Sequence, residues 1–302
     1  MNQESSLNIL FVINPVSGGK TKVDYPAAID QYFEPLPHRI HTFILSGKND
    51  TDAINHQINK IKPDRVVAVG GDGTVTLVAK QILGTPLPMA ILPAGSANGM
   101  AKELNISTNI NDALDVIVNG TIKCSDVIEV NNQICLHLSD IGLNAQLIKY
   151  FDEGDIRGML GYARLVFKVL WRKQNIQVII QSKDKEIKRD AFMVVLANAS
   201  KYGTGAVINP QGDLYDGLFE VVIIKRLAFF QILKTFLRPR SFNPKKIEVF
   251  HASSVTIETY KKVHFQIDGE YVGKVKKIVA KVLPAQLNLV LPKDTSDNGV
   301  RN

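Results

Sequence analysis

Between residues 7 and 104 the chain switches four times between a short apolar run and a stretch whose apolar residues recur at helical period. The runs cover 7–14, 39–45, 65–69 and 88–92, and the helical stretches cover 23–33, 52–61, 75–83 and 97–104. Few folds accept that alternation. Strands joined through helices pair most simply in parallel, with the helices lying over the faces of the sheet. In the third pair, Val75, Val78, Ala79, Ile82 and Leu83 fall at i, i+3, i+4, i+7 and i+8, and Gly84 closes the helix. The pattern predicts an N-terminal Rossmann-like three-layer α/β domain over residues 1–124.

Beyond Cys124 the texture changes. Strand-like runs at 126–130, 176–180, 192–197, 219–224, 255–259, 263–267 and 278–283 are separated by Asp-Gly, Asn-Pro and Asn-Asn pairs. This predicts a C-terminal antiparallel β-sandwich domain over residues 125–285, interrupted by helices at 158–171 and 227–237. The apolar residues of 286–291 open a tail, 286–302, that could return to the first domain. With 302 residues, 45% of them hydrophobic, the chain can bury two cores.

Thirty-six basic and 29 acidic residues leave a net charge of +7, which favours anionic partners without choosing among them. The charge is spread along the chain and no nucleic-acid-binding motif accompanies it, so no nucleic-acid partner is expected. Cys124 and Cys135 form no CxxC pair and point to a reducing compartment. Residues 1–7 lack a basic side chain, and the apolar run 9–13 is too short for a leader core or a membrane span. These features predict a cytoplasmic protein that meets membranes peripherally. The segment 226–240 mixes an apolar face with Arg226, Lys234, Arg238 and Arg240; it either covers the β-domain or touches an anionic leaflet, where four charges at about 1 kcal/mol each give only transient contact.

Three turns of the first domain are rich in small residues at the carboxyl ends of strands, where open sheets of this class bind ligands. The first, Asn14-Pro15-Val16-Ser17-Gly18-Gly19-Lys20-Thr21, approaches a Walker A loop but has Asn14 in place of the leading glycine. Gly70-Gly71-Asp72-Gly73-Thr74 sets three glycines and a threonine cap where a helix begins, a composition that lets backbone N–H groups approach a phosphate. Asp72 is out of place beside an anion unless a cation intervenes or a proton moves, although Asp-Gly is also a common turn pair. The third turn, Pro93-Ala94-Gly95-Ser96-Ala97-Asn98, offers the Ser96 hydroxyl and the Asn98 side chain at another helix start. Ser46, after the second strand, completes the nucleotide-binding candidates.

The Gly70 to Thr74 motif, followed by Leu92-Pro93-Ala94-Gly95-Ser96-Ala97-Asn98 and preceded by Asn14-Pro15-x-Ser17-Gly18-Gly19, resembles the diacylglycerol kinase catalytic domain superfamily, which includes bacterial lipid kinases and the sphingosine and ceramide kinases. The resemblance spans roughly residues 7–291. It implies an ATP- and Mg²⁺-dependent lipid kinase of phospholipid metabolism, with ATP in a cleft between the domains and a lipid alcohol presented at a membrane surface, possible also as a homodimer. Gly70 to Thr74 and Ser96 would hold phosphates, and Asp72 would act through Mg²⁺. In Asp213-Leu214-Tyr215-Asp216-Gly217-Leu218, which also reads as a plain Asp-Gly turn, the resemblance implies Mg²⁺ ligands from Asp213, Asp216 and the Leu218 carbonyl. In Gln266-Ile267-Asp268-Gly269-Glu270-Tyr271, again readable as a two-residue turn, it implies that Glu270 is the general base. Many bacterial members carry Asn-Asp-Phe-Ala where this chain reads Asn98-Gly99-Met100-Ala101, so one carboxylate of that arrangement is missing and the segment is closer to sphingosine kinases. NAD kinases share the Gly-Gly-Asp-Gly-Thr element, but their Gly-Ser-Thr-Ala-Tyr segment is absent. An NAD kinase and a non-catalytic nucleotide- or lipid-binding regulator are the alternatives.

Overall fold

The computed structural model describes residues 6–17, 23–142, 145–146, 175–183, 185–199, 201–202, 206–207, 212–225 and 247–293. The helices expected at 158–171 and 227–237, the charged stretch 226–240, and Gly18 with its neighbours Gly19 and Lys20 lie outside these residues. The chain divides into two compact units, one formed by Met1–Ser125 with Ala285–Asn302 and the other by Asp126–Pro284.

The first unit follows the alternation: β1 (Asn8–Ile13), α1 (Tyr25–Phe33), β2 (Arg39–Ile44), α2 (Asp50–Ile61), β3 (Arg65–Gly70), α3 (Asp72–Ile82), β4 (Met89–Pro93), α4 (Gly99–Glu103) and α5 (Ile110–Asn119). The strands are parallel in the order β4-β3-β1-β2, with Ile9 beside both Arg65 and Ile40, and Val66 beside Met89. From Ile9 to Ile13 and from Val66 to Gly70 every residue is buried, so these strands read as unbroken apolar runs because helices cover both faces. Helix α5 is not among the expected elements. It is capped by the Asn109 side chain, which accepts from Asn111 N and Asp112 N, and buries Ala113, Leu114 and Ile117. The Arg65 guanidinium in turn donates to the carbonyls of Ile117 and Val118, closing the carboxyl end of that helix.

The second unit begins within β5 (Thr121–Val130) and continues through β6 (Gln133–Cys135), β7 (Leu138–Gly142), β8 (Ile176–Ser182), β9 (Lys185–Ala191), β10 (Met193–Ala197), β11 (Lys201–Tyr202), β12 (Ala206–Val207), β13 (Phe219–Ile224), β14 (Ile247–Ala252), β15 (Ser254–Ile267) and most of β16 (Glu270–Leu291). Strands β14-β13-β10-β7-β15 pair antiparallel in that order, β15 also pairs with β8 and β16, and β8 pairs with β9. This is the β-sandwich-like, strand-rich class expected for the C-terminal half. Val194 and Leu196 of β10 enter the larger core with Phe219, Val221 and Ile223, whereas Met193, Val195 and Ala197 enter a second core with Leu138, Val222 and Ile224. Both faces of β10 and β13 are therefore buried.

The last residues of β16 belong to the first unit. Leu289 pairs in parallel with Met89, Gly84 N donates to Gln286 O at 2.8 Å, and Leu287, Leu289 and Val290 are buried. The chain changes unit at Pro284 and Ala285, and Ala285 adopts φ +50°.

Candidate active site

In the first unit the loops after β1, β3 and β4 are fastened together by their own backbones and by short polar side chains. Asn14 N donates to Val69 O at 3.0 Å, and the Asn14 amide donates to Thr74 Oγ1 at 3.1 Å while its carbonyl accepts from Val16 N. Ala94 N donates to Gly70 O at 2.9 Å. The glycines make this contact possible. A Cβ on Gly95 would lie 2.5 Å from Gly71 Cα, and one on Gly70 would lie 2.3 Å from Thr74 Oγ1, distances that real Cβ atoms do not reach. The absent side chains at Gly71 and Gly95 are thus used for loop-to-loop packing, and the one at Gly70 leaves room for the Thr74 side chain.

Two local expectations change here. Thr74 is not the cap of α3: the helix starts at Asp72 after Gly71, and Thr74 is a buried residue inside its first turn that holds Asn14. Asp72 carries out a structural task as well. Its Oδ2 accepts from Gly99 N at 2.9 Å and its Oδ1 from Met100 N at 2.9 Å, so one carboxylate covers the amino end of α4 while sitting at the amino end of α3. Negative charge at a helix start is favourable, and here it serves two starts at once. The Asn98 side chain, buried and in the left-handed region at φ +50°, holds the Ala94 to Asn98 loop by accepting from Gly95 N and donating to Gly95 O, both at 2.8 Å. Gly73 and Ser96 are exposed at this edge, and Ser17 is half-buried with its N–H on Asn14 O. Ser46 faces a different group: its hydroxyl donates to Lys48 O and Asp50 Oδ1, and its amide to Asp50 Oδ1. Desolvation raises the Asp50 carboxyl, but bonds from Ser46 and Gly47 outweigh it and hold the group below the usual carboxylate range.

In the second unit, Asp213 and Asp216 are exposed in one turn, each with an oxygen accepting a nearby amide: Tyr215 N to Asp213 Oδ1 at 3.0 Å and Leu218 N to Asp216 Oδ1 at 2.9 Å. The buried Asp126 orders the same turn by accepting from Gly217 N at 2.7 Å, a role that no local sequence pattern announces. Among the described residues no group of three His, Cys, Asp or Glu is placed to hold a metal ion. By chemistry alone, carboxylate and carbonyl oxygens are the donor type that Mg²⁺ takes, and Mg²⁺ uses one or two carboxylates while keeping several waters.

Glu270 is exposed at the start of β16, directly after a two-residue turn in which Asp268 has φ +49° and Gly269 φ +86° and Ile267 pairs with Glu270. Those angles are the ones that Asp-Gly hairpins favour. The turn is held by side-chain contacts that the sequence did not single out, those of Asp268, Gln266 and Asp140.

Against known proteins, residues 8–130 match the diacylglycerol kinase catalytic domain and residues 140–291 match the YegS C-terminal NAD kinase beta sandwich-like domain. A diacylglycerol kinase of Bacillus subtilis is 24% identical over 295 residues, covering 95% of this chain and 97% of its own. A probable lipid kinase YegS of Escherichia coli is 27% identical over 264 residues, covering 84% of this chain and 87% of its own. A solved structure of a putative diacylglycerol kinase from Bacillus anthracis superposes with a TM-score of 0.75 at 22% identity, covering 96% of this chain and 99% of that one, a likeness of fold. Strand-end loops joined as above, an Asp-Gly-Glu turn in the second unit and two matching domains in sequence place this chain in the diacylglycerol kinase catalytic domain family, with a YegS-type C-terminal domain.

Proposed function

We propose that the protein is an ATP-dependent lipid kinase that transfers the γ-phosphate of ATP to the hydroxyl of a diacylglycerol-like or sphingoid-like lipid. The observation that carries this reading is the fusion of three strand-end loops in the first unit, in which Asp72 fixes the start of α4 and leaves Gly73 and Ser96 exposed beside it. Gly70 to Thr74 and Ser96 would bind phosphates there, with Asn14, Ser17, Gly18, Ser46 and Asn98 as the remaining nucleotide contacts.

Asp213, Asp216 and the Leu218 carbonyl would hold Mg²⁺, whose contribution when bound is to offset negative charge. Asp72 has two oxygens with about four lone-pair sites, two of them taken by the amides of Gly99 and Met100, so a share in cation binding is compatible with its structural task. Glu270, exposed beside a hydrogen-bonded turn, would accept the proton of the lipid hydroxyl as the hydroxyl oxygen bonds to the γ-phosphorus and the bond from that phosphorus to the β–γ bridging oxygen breaks, with ADP leaving. Lipid reaches such an enzyme from a membrane surface by peripheral contact; among the described residues no helix is long and apolar enough to cross one.

The test is transfer of labelled γ-phosphate to diacylglycerol, monoacylglycerol, phosphatidylglycerol and sphingoid bases in mixed micelles. Transfer to at least one is expected, with Glu270→Gln reducing kcat by about 10² to 10⁴-fold. Absence of transfer to all four, or full activity in both Asp72→Asn and Glu270→Gln, would sink the proposal; formation of NADP in a parallel assay would favour an NAD kinase instead.

A further inference from the structure

We infer that Asp268 is a positioning residue for Glu270, its carboxylate holding the β15–β16 turn against the chain that enters β7; this rests on the proposed role of Glu270 as proton acceptor. Four donors converge on that carboxylate. Leu136 N reaches Oδ2 at 2.9 Å, His137 N reaches Oδ1 at 2.9 Å, Leu138 N reaches Oδ1 at 3.1 Å, and the Cys135 thiol reaches Oδ1 at 3.4 Å. Burial first, and then the Asp268 charge beside it, push the Cys135 thiol well above its ordinary value, so it remains a donor. Asp268 also donates its own amide to Leu138 O at 2.8 Å.

The turn alone does not require this residue. Asn-Gly and Gly-Gly satisfy the same left-handed angles as well as Asp-Gly does. What selects a carboxylate is its set of partners: three amides and a thiol all donate to the side chain, and an acceptor with two oxygens satisfies all four. The second corner is fixed independently. Gly269 N donates to Gln266 Oε1 at 2.8 Å, Gln266 Nε2 donates to Asp140 Oδ2 at 2.5 Å, and Asp140 Oδ1 accepts from Ala145 N at 3.0 Å. Gln266 and Asp140 are each 1% exposed, so the anchor is buried even though Glu270 is in solvent. A general base must lie within hydrogen-bond reach of the proton that it takes, and a misplacement of about 1 Å can cost roughly 100-fold in rate. Both corners of the turn adjoining Glu270 are thus clamped to one side.

A double-mutant cycle in the full-length protein tests the inference. Asp268→Asn keeps the turn angles but presents an NH₂ group to a donor-lined site. It is expected to lower kcat by about 10- to 100-fold with KM for ATP unchanged within about twofold, and to have no further effect on kcat in the Glu270→Gln background. Where Asp268→Asn does not fold, Asp268→Gly carries the same cycle, since glycine accepts the turn without the anchor. Equal fold-losses in the wild-type and Glu270→Gln backgrounds, or unchanged kcat in Asp268→Asn and Asp268→Gly, would overturn the inference while leaving the kinase reading intact. A wild-type protein inactive on every lipid alcohol would overturn both.

Discussion

Asp72 shows how much one carboxylate does for the fold at a place where chemistry is also proposed for it. With its two oxygens on consecutive amides of α4, it fixes where the Ala94 to Asn98 loop ends, and that loop carries Ser96. An activity loss in Asp72→Asn therefore does not by itself assign a metal ligand, because the substitution also turns an NH₂ toward one of two donor amides. Gly95 offers a cleaner probe of the loop contact. Gly95→Ala places a methyl group 2.5 Å from Gly71 Cα, backbone against backbone, and should destabilise the protein by about 1–3 kcal/mol in urea unfolding monitored by circular dichroism. Several of these details were beyond the sequence for a simple reason. The Gly-Gly-Asp-Gly-Thr motif is local, but the partners of Gly71, Asp72 and Thr74 are Gly95, Gly99, Met100 and Asn14, all distant along the chain.

Among elements, the apolar strands and amphipathic helices of the first unit were legible because each carries its own periodicity. Helix α5 carries the same signal, with Ile110, Ala113, Leu114 and Ile117 at i, i+3, i+4 and i+7 behind Asn109, but its single short period lies between a short helix and the texture change at Cys124 and stands out less than its neighbours. Strand β9, Lys185–Ala191, was hidden for the opposite reason: among the described residues it pairs only with β8, and its charged, largely exposed residues hide the alternation that burial would impose. One of those charges, Arg189, makes two hydrogen bonds to Glu248 of β14, at 2.9 and 3.1 Å, and Lys225 Nζ lies 2.5 Å from the same carboxylate. The Arg189 bond, opposed by desolvation and helped by Lys225, holds the Glu248 carboxyl below its ordinary 4.5. A depressed folded pKa means that the unfolded chain binds the proton more readily, so the contribution is present above the unfolded value and lost as pH falls through the folded one. Because both partners are partly exposed, about 0.2–1 kcal/mol is at stake. The urea midpoint of Glu248→Gln should lie below that of the wild type at pH 7, and the gap should close toward pH 3.

For the molecule as a whole, the feature with the widest reach is the return of β16 to the first unit. Leu287, Leu289 and Val290 are 1%, 0% and 1% exposed there, and Leu289 pairs with Met89. A chain ending at residue 285 should lose at least the stability of one buried leucine, about 2–5 kcal/mol, and calorimetry should show a lowered or absent transition for the first unit. Leu289→Ala should reproduce part of that loss in the full-length chain. The return also sets an order of events during synthesis. Two hundred residues separate Met89 from its partner Leu289. At about 5–20 residues per second, the edge of β4 waits roughly 10–40 s on the ribosome before the strand that completes it exists. The domain that is translated first is therefore the one that must finish last, and until then its sheet has an open edge that a chaperone or a neighbouring nascent chain could reach.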